Sequence, residues 1–151
     1  VCCAAPAYVA RHGAPRAPEA LVRHACLLYE YAPQRDLWTF GDRKGGQRRV
    51  RVTGPVHANS GAFLAALAAE GVGIAYEPDF IVGADVAAGR LVPLLRDFPP
   101  AATPIHVVYP SRRHLSAKVR AFAEFLQERF ARPAWALELA ATPARRGVKT
   151  S

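Results

Sequence analysis

The stretch HANSGAFLAALAAEGVGIAYEP, His57 to Pro78, carries the strongest local pattern in the chain. Asn59 or Ser60 can cap a helix, because a side-chain oxygen at that position accepts from the N–H groups that the first turn leaves unpaired. Phe63, Leu64, Leu67 and Ala68 recur at helical spacing, and Gly71 supplies a left-handed stop. Gly73-Ile74-Ala75-Tyr76 then reads as a short strand running into Pro78. A helix that turns back at once into a strand is the unit of an α/β sheet. Downstream, Pro78 opens a second short helix through Phe80, Ile81, Val82 and Val86, closed by Gly89, and Leu91 to Leu95 is a further strand.

Upstream, Val1 to Ala5 reads as the end of a buried strand stopped by Pro6, and the three prolines and Gly13 between Pro6 and Pro18 predict irregular chain. Pro18 can start a short helix with Glu19 in its first turn and Leu21 and Val22 as apolar residues. Ala25 to Tyr31, ACLLYEY, predicts a strand. Trp38-Thr39-Phe40 alternates up to Gly41, Asp42 to Gln47 is a polar turn, and Val50, Val52 and Gly54 resume a period of two, so two strands joined by a basic hairpin are expected. Near the other end, Ile105 to Tyr109 reads as an apolar strand closed by Pro110. Leu115, Val119, Phe122, Leu126 and Phe130 then form one stripe of a helix. Beyond Arg132 the chain reads as a weakly ordered tail.

A chain of 151 residues that is 51% apolar is long enough to bury a core without disulfide or metal staples. It contains no Met, at position 1 or elsewhere, and so reads as part of a longer translation product. The 20 Lys and Arg against 12 Asp and Glu give a formal charge of +8, grouped around Gly45-Gly46 (Arg43, Lys44, Arg48, Arg49, Arg51), about the start of the last helix (Arg112, Arg113, Lys118, Arg120) and in the tail (Arg145, Arg146, Lys149). Such clusters suit either a phosphate-binding surface or solvated hairpin and helix-end positions. No aromatic residues interleave with them as stacking platforms, which favours solvation. The three cysteines make no disulfide framework and no zinc spacing, and Cys2 and Cys3 read as small buried strand residues; a reducing, cytoplasmic compartment fits. No run approaches a membrane span.

Catalytic patterns are lacking. His12, His24, His57, His106 and His114 form no HExxH spacing, no GxSxG elbow accompanies them, and Cys26, the only thiol that could be drawn into a dyad with His57, sits inside an apolar strand. Gly71-Val72-Gly73 leads into a strand and is no dinucleotide loop. Neither catalysis, a metal nor a cofactor is expected. What remains is the helix start at Asn59, Ser60 and Gly61, whose outward N–H groups suit an anion or serve as an ordinary cap. His57 lies just before it, and the strand end Tyr76-Glu77-Pro78 should lie beside it.

These residues have a further order. P-A-Y-V-A-R-H-G-x-P-x-x-P-E-x-L-x-x-H-x-C-L (Pro6 to Leu27), W-x-F (Trp38 to Phe40), V-x-G-x-V-x-x-N (Val52 to Asn59), G-x-G-I-A-x-x-P-x-F (Gly71 to Phe80), G-R-L-V-P-L-L (Gly89 to Leu95), V-Y-P-x-R (Val108 to Arg112) and K-V-R-A-F-A-E-F-L (Lys118 to Leu126) closely resemble the C-terminal effector-binding domain of LysR-type transcriptional regulators. The resemblance implies an α/β, periplasmic-binding-protein-like fold of type 2. One α/β subdomain would be complete and joined to the C-terminal crossover strand and helix of another. Residues 1–6 would be the end of one crossover strand, 7–103 the effector-binding subdomain, 104–130 the return strand and helix, and 131–151 an uncovered tail.

The resemblance also implies function. The parent would sense a small anionic metabolite in the cleft between subdomains, act as a homo-oligomer, and meet DNA only through a winged helix-turn-helix outside this chain, with no membrane contact. Effector contacts are implied at His57, Ala58, Asn59, Ser60 and Gly61, at Tyr76, Glu77 and Pro78, and at Ala5, where the family often carries a hydroxyl residue. Hinge positions are implied at Ala5, Pro6, Ile105 and His106. A solute-binding or transport protein of the same architecture is the alternative, to be separated by what lies upstream.

Overall fold

The computed structural model describes residues 1–32, 34–42, 45–100, 106–108 and 116–131. Its centre is a mixed sheet of five strands in the order β5-β2-β6-β1-β7, formed by β1 (Cys2–Ala4), β2 (Cys26–Tyr29), β5 (Val56–Ala58), β6 (Ile74–Tyr76) and β7 (Val92–Pro93). β2 runs parallel to both β5 and β6, whereas β1 is antiparallel to β6 and β7. β3 (Leu37–Gly41) and β4 (Gln47–Arg51) form the expected hairpin, with Trp38 opposite Val50 and Phe40 opposite Arg48.

The two-residue period of the strands sorts the core onto two faces. Cys2, Ala4, Cys26, Leu28 and Ile74 point to one side, where they meet the hairpin through Trp38, Phe40 and Val50. Cys3, Leu27 and Ala75 point to the other and meet Leu64, Ala65 and Ala68 of α2 (Gly61–Ala69) and Val82 of α3 (Asp79–Ala87). The helix predicted between the cap at Asn59 or Ser60 and the stop at Gly71 therefore forms. Its buried face is Gly61, Leu64, Ala65 and Ala68, and Phe63, expected inside, is 51% exposed because it falls off that stripe. Gly71 takes the positive φ of 77° that stops the helix.

Several expectations need correction. The chain after Pro6 is not irregular: Pro6–His12 is a helix, α1. Pro6 occupies its first turn, where a missing N–H costs nothing, and the other two prolines follow Gly13, whose φ of 77° and N–H to Val9 O close the helix. α1 is anchored by buried Tyr8, whose hydroxyl accepts from the Ala25 N–H, and by Arg11, which donates to Gly71 O. Pro18–Arg23 is a 3-10 helix that buries Leu21 but leaves Val22 56% exposed.

The strand expected at Leu91–Leu95 contracts to Val92–Pro93, since Pro93 has no N–H to offer and Leu95 turns to a φ of 53°. The strand expected at Ile105–Tyr109 is not borne out at the residues described: His106, Val107 and Val108 are exposed and carry no secondary structure, while Ile105, Tyr109 and Pro110 lie outside the described residues. α4 (Ala117–Ala131) forms as the stripe predicts, and Leu115 falls outside the described residues. Val119, Phe122, Phe125 and Phe130 remain exposed on it.

The described arginines of the hairpin cluster are solvated or paired. Arg48 donates to Glu19 and lies over the Phe98 ring, and Arg51 pairs with Asp36. Arg43, Lys44, Arg112, Arg113 and the tail cluster lie outside the described residues.

Candidate functional site

Parallel strands end their chains on one edge of a sheet, and in open α/β folds that carboxyl edge is where ligands bind. Here β2, β5 and β6 bring Tyr29-Glu30, Ala58-Asn59 and Tyr76-Glu77 to the same edge, tied by the Glu30 N–H to Ala58 O at 2.9 Å. β1 begins there: the Val1 nitrogen donates to Glu77 O at 2.5 Å and the Glu77 N–H to Val1 O at 3.0 Å. α2 leaves from this edge. Ser60 caps it, its Oγ accepting from the Phe63 N–H at 3.3 Å, so the N–H groups of Gly61 and Ala62 start the helix without an intrahelical acceptor.

The structure brings most of the predicted residues to this edge but divides them between the two faces. Ala58, Asn59, Ser60, Gly61 and Glu77 lie at the α2 side or on the rim. His57 points to the hairpin side, in register with Leu28, and its Nδ1 is 3.7 Å from Glu30. Tyr76 also points there; its ring stacks on Trp38 at 4.9 Å and its hydroxyl donates to Thr39 O at 2.6 Å. That side chain anchors the hairpin. Pro78 caps α3 at the rim.

Ala5 is not at this edge. β1 is antiparallel to β6, so its far end lies beside the C-terminal end of α2, where the Ala5 N–H donates to Ala68 O. The four residue steps from Val1 correspond to roughly 13 Å. Ala5 and Pro6 join β1 to α1 directly, Pro6 exposed and Ala5 buried; His106 is exposed and Ile105 is outside the described residues.

Two acidic groups matter most at this edge, and only Glu30 is missing from the expected contacts. Glu30 was hidden inside an apolar run, and its pairing with His57 follows from strand register. Glu77 was expected, but its burial was not: it is 5% exposed, and its Oε1 has no hydrogen-bond partner among the described residues. Its carboxyl lies under the first turn of α2, so that a Cβ added at Gly61 would come 3.1 Å from the Glu77 carboxyl carbon and 2.8 Å from Ile81 Cδ1. Burial pushes this carboxyl up to about 7, against a smaller opposing pull from the Val1 amino group. The signal was available in Ala75-Tyr76-Glu77, since alternation sends Glu77 to the same face as Ala75.

The thiols offer no chemistry. Cys2, Cys3 and Cys26 are buried, burial pushes Cys3 and Cys26 up to about 12 and Cys2 well up too, and Cys26 Sγ faces Leu21 O while His57 faces Glu30, so no Cys26–His57 dyad exists. Among the described residues no three His, Cys, Asp or Glu side chains group as metal ligands, and no helix is long and apolar enough to cross a membrane.

The chain and its fold can be compared with known proteins. Residues 1–131 match the LysR substrate binding domain family. The chain is 39% identical over 116 residues to an uncharacterized HTH-type transcriptional regulator of Haemophilus influenzae, covering 77% of this chain and 40% of that protein. It is 35% identical over 126 residues to the HTH-type transcriptional regulator CrgA of Neisseria meningitidis, covering 83% and 42%. The chain thus spans about two fifths of the length of these relatives. In structure it is similar to the CrgA regulatory domain, with a TM-score of 0.70 at 34% identity over 84% of this chain and 62% of that one. It is also similar to the full-length Vibrio cholerae virulence activator AphB, with a TM-score of 0.72 at 26% identity over 83% and 43%. With residues 1–131 matched by the family model and the fold shared with the CrgA regulatory domain, the chain belongs to the LysR substrate-binding domain family.

Proposed function

We propose that this chain is the effector-sensing part of a LysR-type transcriptional regulator, and that a small anionic metabolite binds at the carboxyl edge of β5, β2 and β6 against the N-terminus of α2. The observation that carries this reading is the convergence of three parallel strand ends on Ser60, Gly61 and Ala62, where uncompensated N–H groups and the helix dipole favour negative charge. Occupation of this edge shifts an oligomer of the whole regulator between DNA-bound forms. DNA contact is assigned to a winged helix-turn-helix outside residues 1–151, as the relatives' names as HTH-type regulators suggest. The protein acts in the cytoplasm and catalyses no reaction.

Ser60→Trp tests the placement. A bulky ring at the exposed cap blocks the approach to Gly61, while loss of the capping oxygen costs about 1 kcal/mol of stability. Affinity for acetate, a carboxylate probe followed by amide chemical shifts, is expected to fall more than tenfold with the fold intact. An unchanged affinity in the folded variant would remove this helix start from the site.

A further inference from the structure

Glu77 places a carboxyl group beneath the first turn of α2. It is buried, its Oε1 lacks a hydrogen-bond partner among the described residues, and it underlies Gly61 at the start of a nine-residue helix. An ionised group there is a buried charge with an unmet acceptor, and it competes with any ligand for the positive end of α2. A neutral carboxyl leaves that end to the ligand. We propose that Glu77 makes anion binding at the N-terminus of α2 proton-linked: a carboxylate ligand is taken up together with one proton, which the Glu77 carboxylate receives.

The surroundings support this. From β1, Glu77 meets the Cys3 thiol and the Val1 nitrogen; α3 contributes Asp79 in its first turn and Asp85 further along; the first turn of α2 carries no acidic residue. The Cys3 thiol stays protonated, and burial is what favours the neutral form of Glu77. His57 and Glu30 pair on the opposite face of the sheet. Linkage is reciprocal: the proton strengthens anion binding, and the anion raises the affinity of Glu77 for its proton. With the carboxyl titrating at about 7, the binding-competent fraction falls about tenfold between pH 6 and pH 8.

The proposal rests on the anion site described above, and one experiment separates the two. Acetate, ionised at both pH values, is titrated into the 151-residue chain at constant ionic strength, following the amides of Ser60, Gly61 and Ala62 and the side-chain carboxyl carbon of Glu77 by NMR. Expected are an apparent Kd about tenfold weaker at pH 8 than at pH 6, a Glu77 titration midpoint that moves upward in saturating acetate, and loss of the pH dependence in Glu77→Gln. A pH-independent Kd in the wild type, or the same pH dependence in Glu77→Gln, overturns the linkage while leaving the site standing. No acetate response at Ser60 to Ala62 at either pH, in either protein, overturns the site and the linkage together. If Glu77→Gln does not fold, the wild-type midpoint decides: a midpoint unmoved by saturating acetate overturns the proposal.

Discussion

Gly54→Ala is expected to abolish cooperative folding, reducing stability by more than about 4 kcal/mol against the 5–15 kcal/mol typical of a domain. A Cβ at residue 54 would lie 2.7 Å from the backbone nitrogen of Cys26 and 2.6 Å from its carbonyl carbon. These are main-chain atoms of an interior strand, held by the Cys26 N–H to Thr53 O at 3.0 Å and by parallel pairing with β6, so no side chain can swing aside to make room. Overpacking that a core relieves by rotamer changes costs 1–3 kcal/mol; here the strand itself must move. Chemical denaturation measures the loss. The control is Gly13→Ala, where nothing lies within 4 Å of the added carbon and only the positive φ of 77° is strained. A Gly54→Ala protein as stable as the control would contradict the packing described at β2.

The second large effect is a pH slope. Burial in the folded chain pushes the Glu77 carboxyl up to about 7 from the 4.5 it has when exposed in the unfolded chain. The folded chain therefore holds the proton over a range where the unfolded chain has released it, and stability falls as pH rises through that window, by about 3 kcal/mol in total. Below 4.5 both states are protonated and the contribution is fully retained. His24 acts in the opposite sense: burial and then His12 lower it, so the unfolded chain binds the extra proton and stability rises with pH near the ordinary imidazole range. The difference between wild type and Glu77→Gln isolates the carboxyl. Urea unfolding at pH 4, 6 and 8 is expected to show a wild-type penalty that grows with pH and is missing in the variant. Parallel pH profiles for the two proteins would show that Glu77 is not buried as described.

Local pattern was enough for the elements that carry the proposed site. The cap at Ser60, the stop at Gly71 and the strand at Ile74–Tyr76 follow from chemistry within a few residues of each. The failures have a common cause, which is that partners distant in sequence decided them. Pro6 looked like a breaker until its position at the first turn of α1 was set by β1 before it. Leu91–Leu95 carried strand residues, but Pro93 limits its pairing with β1. Tyr76 and Glu77 are neighbours in the chain and were read as one feature. The alternation of β6 sends Tyr76 to Trp38 and Glu77 to Gly61, and only the packed sheet shows that they do different things. Ala5 looked like a site residue because the resemblance placed it there, whereas the antiparallel course of β1 carries it to the opposite edge.

The 20 Lys and Arg of the chain include several held in ion pairs. Arg48 and Arg51 in the hairpin meet Glu19 and Asp36, and Arg90 meets Asp85 on the outer helix, so these arginines are spent within the chain. Such exposed pairs contribute little stability each. Their presence fits a surface that is solvated rather than one built to track a phosphate backbone.

The most direct measurement is amide chemical-shift mapping of the chain with acetate at pH 6. If a small anion binds at the carboxyl edge of the parallel strands, perturbations concentrate at Ala58 to Ala62 and at Glu77, and spare Ala5, Ala68 and the hairpin tip. Perturbations centred on the arginines of β4, or none at the start of α2, would contradict it.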